Sequence, residues 1–331
     1  MDFGIITKQK KINKDKRIKN LIFLCEKYNI SYIVFRLENI NFKRKIINGL
    51  IWKDGNFEKY TSDFPKYLYN FQVFSNKEKV IFNELCKFTK PLISYIGGKN
   101  YIYKNLNKLN YENLIPFMKI NSIQDIQDML KNYGKLCIKP TYGRRGRNIH
   151  FIYIKNQSYI VKLGKNEKIL EEKLFYKYCK KFLKESYICQ KYIHSKTIFN
   201  QSFDLRVHIQ KISTCDWEVS HMYARISTDN KNVSNISKGG HEVSIQDFFS
   251  KYYSTNLESK IIDSCTKLCT LIDKFEKNDH LDLGLDIGID ENLNIWLFEI
   301  NSRPGLTDSN KGNLKIAENV IKYVKSKLQE D

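Results

Sequence analysis

Three oxygen-bearing side chains, Asp286, Glu299 and Asn301, fall close together in this 331-residue chain. They lie in the stretch Leu283 to Leu306, LGLDIGIDENLNIWLFEINSRPGL. Leu285, Ile287 and Ile289 alternate on the way out, and Ile295, Leu297 and Phe298 return. Asp290-Glu291-Asn292 supply turn chemistry between the two runs, so the stretch reads as a β-hairpin. Glu299 and Asn301 are two apart and share one face of their strand. A turn near residues 290 to 294 brings Asp286 close to opposite Glu299. Two carboxylates and an amide converging in this way suit Mg²⁺, a hard ion that takes oxygen ligands and keeps room for phosphate oxygens. Arg303-Pro304-Gly305 then ends the strand and places a guanidinium beside the site. The same residues also fit a plain hairpin with solvated edge charges.

A second group of residues has the chemistry of an anion site. Leu136-Cys137-Ile138-Lys139-Pro140 reads as a strand, Thr141 to Asn148 as a glycine- and arginine-rich turn, and Ile149 to Ile154 as a second strand. Gly143 and Gly146 allow a tight loop whose backbone N–H groups can approach phosphate oxygens. Lys139 is a point charge at the strand end, and Arg144, Arg145 and Arg147 add counter-charge. The Walker A pattern is absent, and an ordinary hairpin loop with solvated arginines fits the same letters. Further on, Phe203 to Lys211 alternates cleanly, with Asp204, Arg206, His208 and Gln210 on one face. There Arg206 can meet an oxyanion or pair with a neighbouring carboxylate. Trp217 to Ile226 is the next strand and contains Arg225. Ser234 to Gly240 is a polar, glycine-ended loop containing Asn235.

The elements that must position these groups divide into three units: 1–95, 96–185 and 186–331. In the first, Arg17 to Tyr28 reads as a helix and Ile30 to Phe35 as a strand. Ile46 to Trp52 and Phe57 to Tyr60 flank Asp54-Gly55, a strong hairpin signal, and Tyr67-Leu68-Tyr69 is a short strand. This is a small α/β domain suited to forming one wall of a cleft. In the second unit, Gly97-Gly98-Lys99 precedes a helix, and Ser122 to Leu130 is a helix capped by Ser122 ahead of Asp125. In the third, Tyr187 to Ile193 is a strand leading into a loop through Gln190-Lys191-Tyr192-Ile193. Leu257 to Phe275 is a helix that buries Cys265 and Cys269. Lys315 to Leu328 is a terminal amphipathic helix.

Composition narrows the function classes. Hydrophobic residues make up 42% and charged residues 28%, as expected of a soluble globular chain. No apolar run approaches the ~18 residues of a membrane helix, and the first residues lack the layout of a signal peptide. The eight cysteines are scattered without a C-x-x-C pair, which favours reduced, buried thiols in a cytoplasmic protein over disulfides or zinc. The net charge of +20 comes from lysines spread along the chain. No basic block is interleaved with aromatics, so nucleic acid is not an expected partner, although acidic partners gain from the charge.

Taken in order, these segments resemble the ATP-grasp superfamily. They are the strand ending Lys-Pro with its glycine loop, then Gln-Lys-Tyr-Ile, Asp-Leu-Arg, Arg225, Asn235 with Gly239-Gly240, Asp286, and Glu-Ile-Asn-Ser-Arg-Pro-Gly. The match is similar to the YheC/YheD family of endospore coat-associated proteins and, over the C-terminal half, to the ribosomal protein S6 glutamate ligase group. It covers roughly residues 64 to 306. It includes Pro65 with Tyr69-Asn70, although Phe71 stands where that family's segment carries arginine. The resemblance implies an α+β, ATP-grasp fold, with nucleotide held between two α/β subdomains behind a small N-terminal domain. It implies ATP and Mg²⁺, with two ions. Lys99 and Lys139 then contact the phosphates, with Lys104 an alternative to Lys99. Gly143, Arg144 and Gly146 belong to the loop that closes over them. Gln190, Lys191, Tyr192 and Ile193 form the adenine hinge, and Asn235 joins the nucleotide set. Asp286, Glu299 and Asn301 become the metal ligands, and Arg206, Arg225 and Arg303 hold acceptor and acyl phosphate. The implied activity is an ADP-forming carboxylate–amine ligase, with a peptide or coat protein as substrate and a cytoplasmic or spore-coat location. A kinase that stops after phosphoryl transfer, or a coat structural protein with a vestigial ATP site, are the alternatives.

Overall fold

Parallel pairing of short, fully buried strands builds the first layer. β1 (Phe3–Ile6) pairs in parallel with β2 (Tyr32–Phe35) and with β6 (Tyr67–Asn70), which pairs with the short β7 (Lys90–Pro91). These strands read as continuous apolar runs because both faces of a parallel sheet are covered. The fold is seen in a computed structural model, which describes residues 1–9, 12, 15–142, 148–227, 240–277 and 280–330. α1 (Lys16–Lys27) follows β1 and is capped by Asp15, whose carboxylate accepts from the Arg17 and Ile18 amides. The buried face of α1 carries Ile18, Leu21, Ile22 and Cys25. β3 (Ile40–Asn41), β4 (Ile46–Lys53) and β5 (Asn56–Asp63) extend the sheet as an antiparallel edge. Asp54 and Gly55 both take positive φ in the turn between β4 and β5, which is the conformation that makes Asp-Gly a hairpin signal. α2 (Asn76–Leu85) begins in a reciprocal capping box between Ser75 and Glu78.

The second layer is a six-stranded sheet. α3 (Lys99–Lys108) leads to β8 (Phe117–Lys119) and α4 (Ile123–Tyr133), where Ser122 and Asp125 cap each other as the sequence predicts. β9 (Lys135–Pro140), β10 (His150–Lys155), β11 (Ser158–Leu163) and β12 (Asn166–Leu170) form an antiparallel meander. α5 (Glu172–Lys184) returns to β13 (Tyr187–Lys191), which inserts between β9 and β8, giving the order β12-β11-β10-β9-β13-β8. α4 and α5 cover one face through Ile126, Met129, Phe175, Cys179 and Phe182. The opposite face near β9 and β13 is left to line a cleft.

The third layer is the antiparallel sheet β16-β15-β14-β17-β18. It comprises β14 (Phe203–Lys211), β15 (Trp217–Ser227), β16 (Gly240–Ser244), β17 (Asp282–Ile289) and β18 (Ile295–Asn301). α6 (Ile245–Tyr252) and α7 (Glu258–Phe275) pack on the face that carries Leu205, Val207, Ile209, Leu283, Leu285 and Ile287, and α3 joins the same core. Cys265 and Cys269 lie within it. The other face of β14 and β17 carries Asp204, Arg206, His208, Asp282 and Asp286. α8 (Asn310–Glu330) crosses back: Ala317, Val320, Ile321, Tyr323 and Val324 share a core with Phe3, Ile5, Leu21 and Tyr67 of the first layer. All eight cysteines are free thiols, and Cys215 is the exposed one.

Candidate functional site

The hairpin of the sequence reading forms in the predicted register. Asp286 pairs directly with Glu299, and Gly284 with Asn301, so all four positions share one face. The register then shifts between Asp286 and Ile287, where Phe298 is the extra residue of a β-bulge. The two consecutive apolar residues Leu297 and Phe298 were the sequence sign of that bulge, because strict alternation admits only one of them. The bulge has a use. The Phe298 carbonyl accepts from the Lys139 Nζ at 2.8 Å and from the Tyr103 hydroxyl at 2.8 Å. The Phe298 ring lies flat against Gly288, where a Cβ would come within 2.1 Å of it. Only glycine at 288 leaves space for this ring.

Cations surround both carboxylates. Arg206, directly opposite Asp286 on β14, places its Nε 2.7 Å from Oδ1. Arg225 on β15 grips Asp204 with two bonds, 2.6 and 2.8 Å, and extends Nη2 to within 3.0 Å of the same Asp286 oxygen. Burial pushes the Asp286 carboxyl up, but the charges of Arg206 and Arg225 outweigh it and hold the group below its ordinary value. Asn301 donates toward the other oxygen, Oδ2, at 3.5 Å. Glu299 pairs with Lys99 at 3.1 Å. Lys99 opens α3 behind Gly98, which packs against the Tyr142 ring. Lys104 lies on the exposed side of the same helix. Lys139 is itself buried, and burial holds its ammonium below the ordinary lysine value against the pull of Cys137, Glu299 and Asp286. Tyr103 was not singled out from sequence. Its signal is the spacing from Lys99, four residues on and thus on the same helix face.

Lys139, Asp204, Arg225, Asp286 and Glu299 of this cluster line a cavity between the second and third layers. Ile115, Cys137, Ile149, Phe151, Tyr192 and Phe298 give it apolar walls, and Gln190, Lys191 and Ile193 line it beside them. Gln190 is almost fully buried and its Nε2 has no partner among the described residues. A buried amide donor left open costs roughly 1–3 kcal/mol unless a ligand or water meets it. The lining therefore pairs a flat apolar slot with a polar rim, the usual make-up of a ligand site.

Arg303 stands apart from this cluster. Its Nε donates to the Asn70 carbonyl at 3.3 Å, at the end of β6 in the first layer. Beside it the Arg17 guanidinium lies 4.7 Å from the Phe71 ring centroid and donates to the Pro304 carbonyl at 2.9 Å. Gly143, Arg144, Gly146 and Asn235 lie outside the described residues. Among the described residues no group of three His, Cys, Asp or Glu side chains converges, so any metal held here draws on Asn301 beside Asp286 and Glu299. Those donors are all oxygens, two of them anionic, which fits Mg²⁺ rather than a softer ion.

A cavity between two α/β layers, with carboxylates and cations in its lining, is the arrangement expected of an ATP-grasp protein, and the family match bears that class out. The chain belongs to the YheC/D-like ATP-grasp family, which matches residues 89–326. It is 24% identical over 336 residues to the endospore coat-associated protein YheD of Bacillus subtilis (strain 168), covering 93% of this chain and 72% of that one. It is 23% identical over 260 residues to YheC of the same organism, covering 73% and 71%. Among solved structures it is similar to a Chryseobacterium gregarium RiPP-associated ATP-grasp ligase in complex with ADP and a leader and core peptide, at TM-score 0.55, 14% identity and 96% coverage of each chain. The ATP-grasp ligase PsnB, complexed with minimal precursor, Mg and ADP, aligns at TM-score 0.55 and 11% identity over 98% of both chains. D-cycloserine synthetase DcsG aligns at TM-score 0.56 and 12% identity, covering 97% of this chain and 98% of its own. Among the described residues no helix is long and apolar enough to cross a membrane.

Proposed function

We propose that this protein is an ATP-dependent, ADP-forming carboxylate–amine ligase that acts on a peptide or spore coat protein. The observation that carries the reading is the arrangement around Asp286 and Glu299. Three cations pair with two carboxylates, Lys99 with Glu299 and both Arg206 and Arg225 with Asp286, and Lys139 lines the apolar slot beside them. A ligase of this class must bring a substrate carboxylate against the γ-phosphate, and both are anionic. Preorganised cations stabilise the charge that develops there.

In this reading Gln190 to Ile193 hold adenine, and Phe151, Tyr192 and Phe298 sandwich it. Lys139 moves from the Phe298 carbonyl to the phosphates, and Lys99, rather than the exposed Lys104, joins it. Gly143, Arg144 and Gly146 close over them, and Asn235 completes the nucleotide set. Asp286, Glu299 and Asn301 hold Mg²⁺, two ions when fully loaded. The bound ions supply charge neutralisation along the phosphates. Arg206 and Arg225 are already aimed at this point and hold the anions of the acceptor. Arg303 serves the acceptor from the side of the first layer. A carboxylate oxygen attacks the γ-phosphorus and ADP leaves. An amine then attacks the acyl carbon, orthophosphate leaves with the bonding pair, and the amine gives up one proton to make the amide. Exclusion of water protects the acyl phosphate between these steps.

Peptide substrates are supported by the solved relatives whose complexes contain leader, core or precursor peptides. A spore-coat setting is supported by YheC and YheD, and a cytoplasmic site of action by the eight free thiols. The test is ADP release from Mg²⁺-ATP, screened against amino acids and peptides, with the product analysed for phosphate. Free orthophosphate and a new amide support the ligase. Phosphate retained on the product identifies a kinase. ATP binding without turnover on any acceptor fits a coat protein with a vestigial site.

A further inference from the structure

The charge of this protein is not shared evenly among its layers. Residues 117–191, the second layer with its helices, hold 17 of the 56 basic residues and 6 of the 36 acidic ones. That layer of 75 residues therefore carries +11 of the net +20. Part of this surplus lies on α5, which covers the face of the sheet opposite the one that lines the cavity. α5 holds Lys173, Lys177, Lys180, Lys181 and Lys184 against the single Glu172. Its buried stripe is Phe175, Cys179 and Phe182, which turns the lysines outward. Lys168 on β12 and Lys181 on α5 both approach the Tyr178 ring, at 5.8 and 3.7 Å from its centroid. Like charges are thus drawn to one patch, and burial together with Lys168 holds the Lys181 ammonium below its ordinary value. Among the described residues none of Lys168, Lys173, Lys177, Lys180, Lys181 or Lys184 has a carboxylate within ion-pair distance. Lys162 is the contrasting case, paired with Glu167.

The same region has two further properties of a docking surface. Among the described residues β12 ends its sheet, paired with β11 alone, and one row of its backbone donors and acceptors has no strand beside it. Aliphatic side chains are exposed on both faces of this edge: Leu174 on α5 at 53% and Ile154 on β10 at 51% on the α5 side, and Ile169 on β12 at 69% on the other. An extended peptide can add to an open edge through its main chain, with side chains setting specificity. Aliphatic contacts suit a peptide, whereas single-stranded nucleic acid is held by aromatic platforms.

We propose that the β12 edge and the lysine face of α5 dock an extended, acidic segment, interleaved with apolar residues, of the peptide or protein that the ligase modifies. The inference rests on the ligase reading for the identity of the segment's owner, but not for the docking itself. A segment held on this layer is held on the same rigid sheet that supplies Cys137, Lys139, Phe151 and Gln190 to the cavity. Tethering there raises the effective concentration of the modified residue at the site without any new contact to it.

The test uses the full chain and a fluorescein-labelled peptide of repeating Glu-Val-Glu-Leu, read by anisotropy. A quadruple variant, Lys168→Glu, Lys173→Glu, Lys177→Glu and Lys180→Glu, reverses exposed charges on the patch. A control variant, Lys53→Glu, Lys59→Glu, Lys66→Glu and Lys79→Glu, makes the same change in net charge on the first layer. Equal ATP affinity and melting temperature in all three proteins show that each is folded. The expected result is binding that weakens at least about tenfold in the patch variant, with Gln replacing Glu in the peptide, or at high salt, and by much less in the control. Equal weakening in both variants would overturn the proposal, since net charge alone then accounts for binding. So would tighter binding of a single-stranded RNA of equal charge through the same lysines, or no binding of the peptide at all. ADP release in the acceptor screen is scored separately. Loss of docking with turnover intact on a small acceptor removes only this inference, and docking without turnover removes only the ligase.

Discussion

Replacing Glu299 by glutamine separates a role in chemistry from a role in holding the fold. The side chain keeps its shape and one oxygen donor but loses its charge. Its structural worth follows from the Lys99–Glu299 pair, 3.1 Å apart with side chains 13% and 30% exposed. A pair with that access to water contributes about 0–1 kcal/mol, which corresponds to a melting shift of no more than ~2–4 °C in a chain of this size. The chemical cost is larger. Neutralising charge on the transferring phosphoryl group contributes several kcal/mol, and each ~1.4 kcal/mol is a decade of rate. Glu299→Gln should therefore lower ADP release by two decades or more, raise the Mg²⁺ concentration needed for half-maximal rate, and leave melting within a few degrees. Turnover, Mg²⁺ dependence and thermal unfolding are measured on one preparation. Wild-type turnover, or a melting loss large enough to explain the fall in rate, refutes the metal assignment.

Arg206→Lys keeps the charge beside Asp286 but not the planar fork. It is expected to leave ATP affinity within a few-fold and to cut amide formation by two to three decades, roughly 3 kcal/mol for one lost donor; a loss carried wholly by ATP affinity would place Arg206 elsewhere. Gly288→Ala should cost about 1–3 kcal/mol by overpacking and weaken ATP binding, because the added methyl displaces the Phe298 ring that lines the cavity; an unchanged denaturant midpoint contradicts this. Asp282 is buried, and burial pushes its carboxyl up to about 6 against the lowering effects of Arg17 and Tyr69. The native state then binds more protons than the unfolded chain between about pH 4 and 6, so stability falls as pH rises through that window. Asp282→Asn should flatten that fall, by about 3 kcal/mol at full effect, and urea midpoints from pH 4 to 7 that match the wild type would show otherwise. Thiol titration of denatured, unreduced protein should find eight free cysteines, and a lower count means an oxidised pair.

The hairpin was legible because its information is local. Alternation, turn residues and the two-residue spacing of Glu299 and Asn301 fix a register within twenty residues, and Asp286 pairs with Glu299 as that register requires. The Ser122–Asp125 cap and the Asp54-Gly55 turn were legible for the same reason. The way the arginines converge was not. Arg206, Arg225 and Asp286 are far apart in sequence, and their contact depends on which strands neighbour β14. Sequence left Arg206 with two readings, an oxyanion contact or a carboxylate partner, and the structure pairs it with Asp286. The surroundings of Lys99 and Lys104 were likewise not legible. They turn on helix phase at the α3 start, where Lys99 faces Glu299 and Lys104 faces solvent. The uneven charge was not legible either, since the bounds of the layer that carries it come from the fold.

The return of α8 to the first layer has a consequence for how the molecule is made. Phe3, Ile5 and Leu21 leave the ribosome early, yet the core they enter is closed by Ala317, Val320 and Val324. Contacts of such long sequence separation form slowly. At ~5–20 residues per second of synthesis, the amino-terminal sheet waits on the order of fifteen seconds to a minute with one face covered by α1 but not yet by α8. The second layer has no such delay, because the helices that cover it, α4 and α5, are neighbours in sequence. Nascent chains stalled before residue 310 should therefore present a protease-sensitive amino-terminal region beside resistant later segments, and release of α8 from the exit tunnel should be the event that protects it.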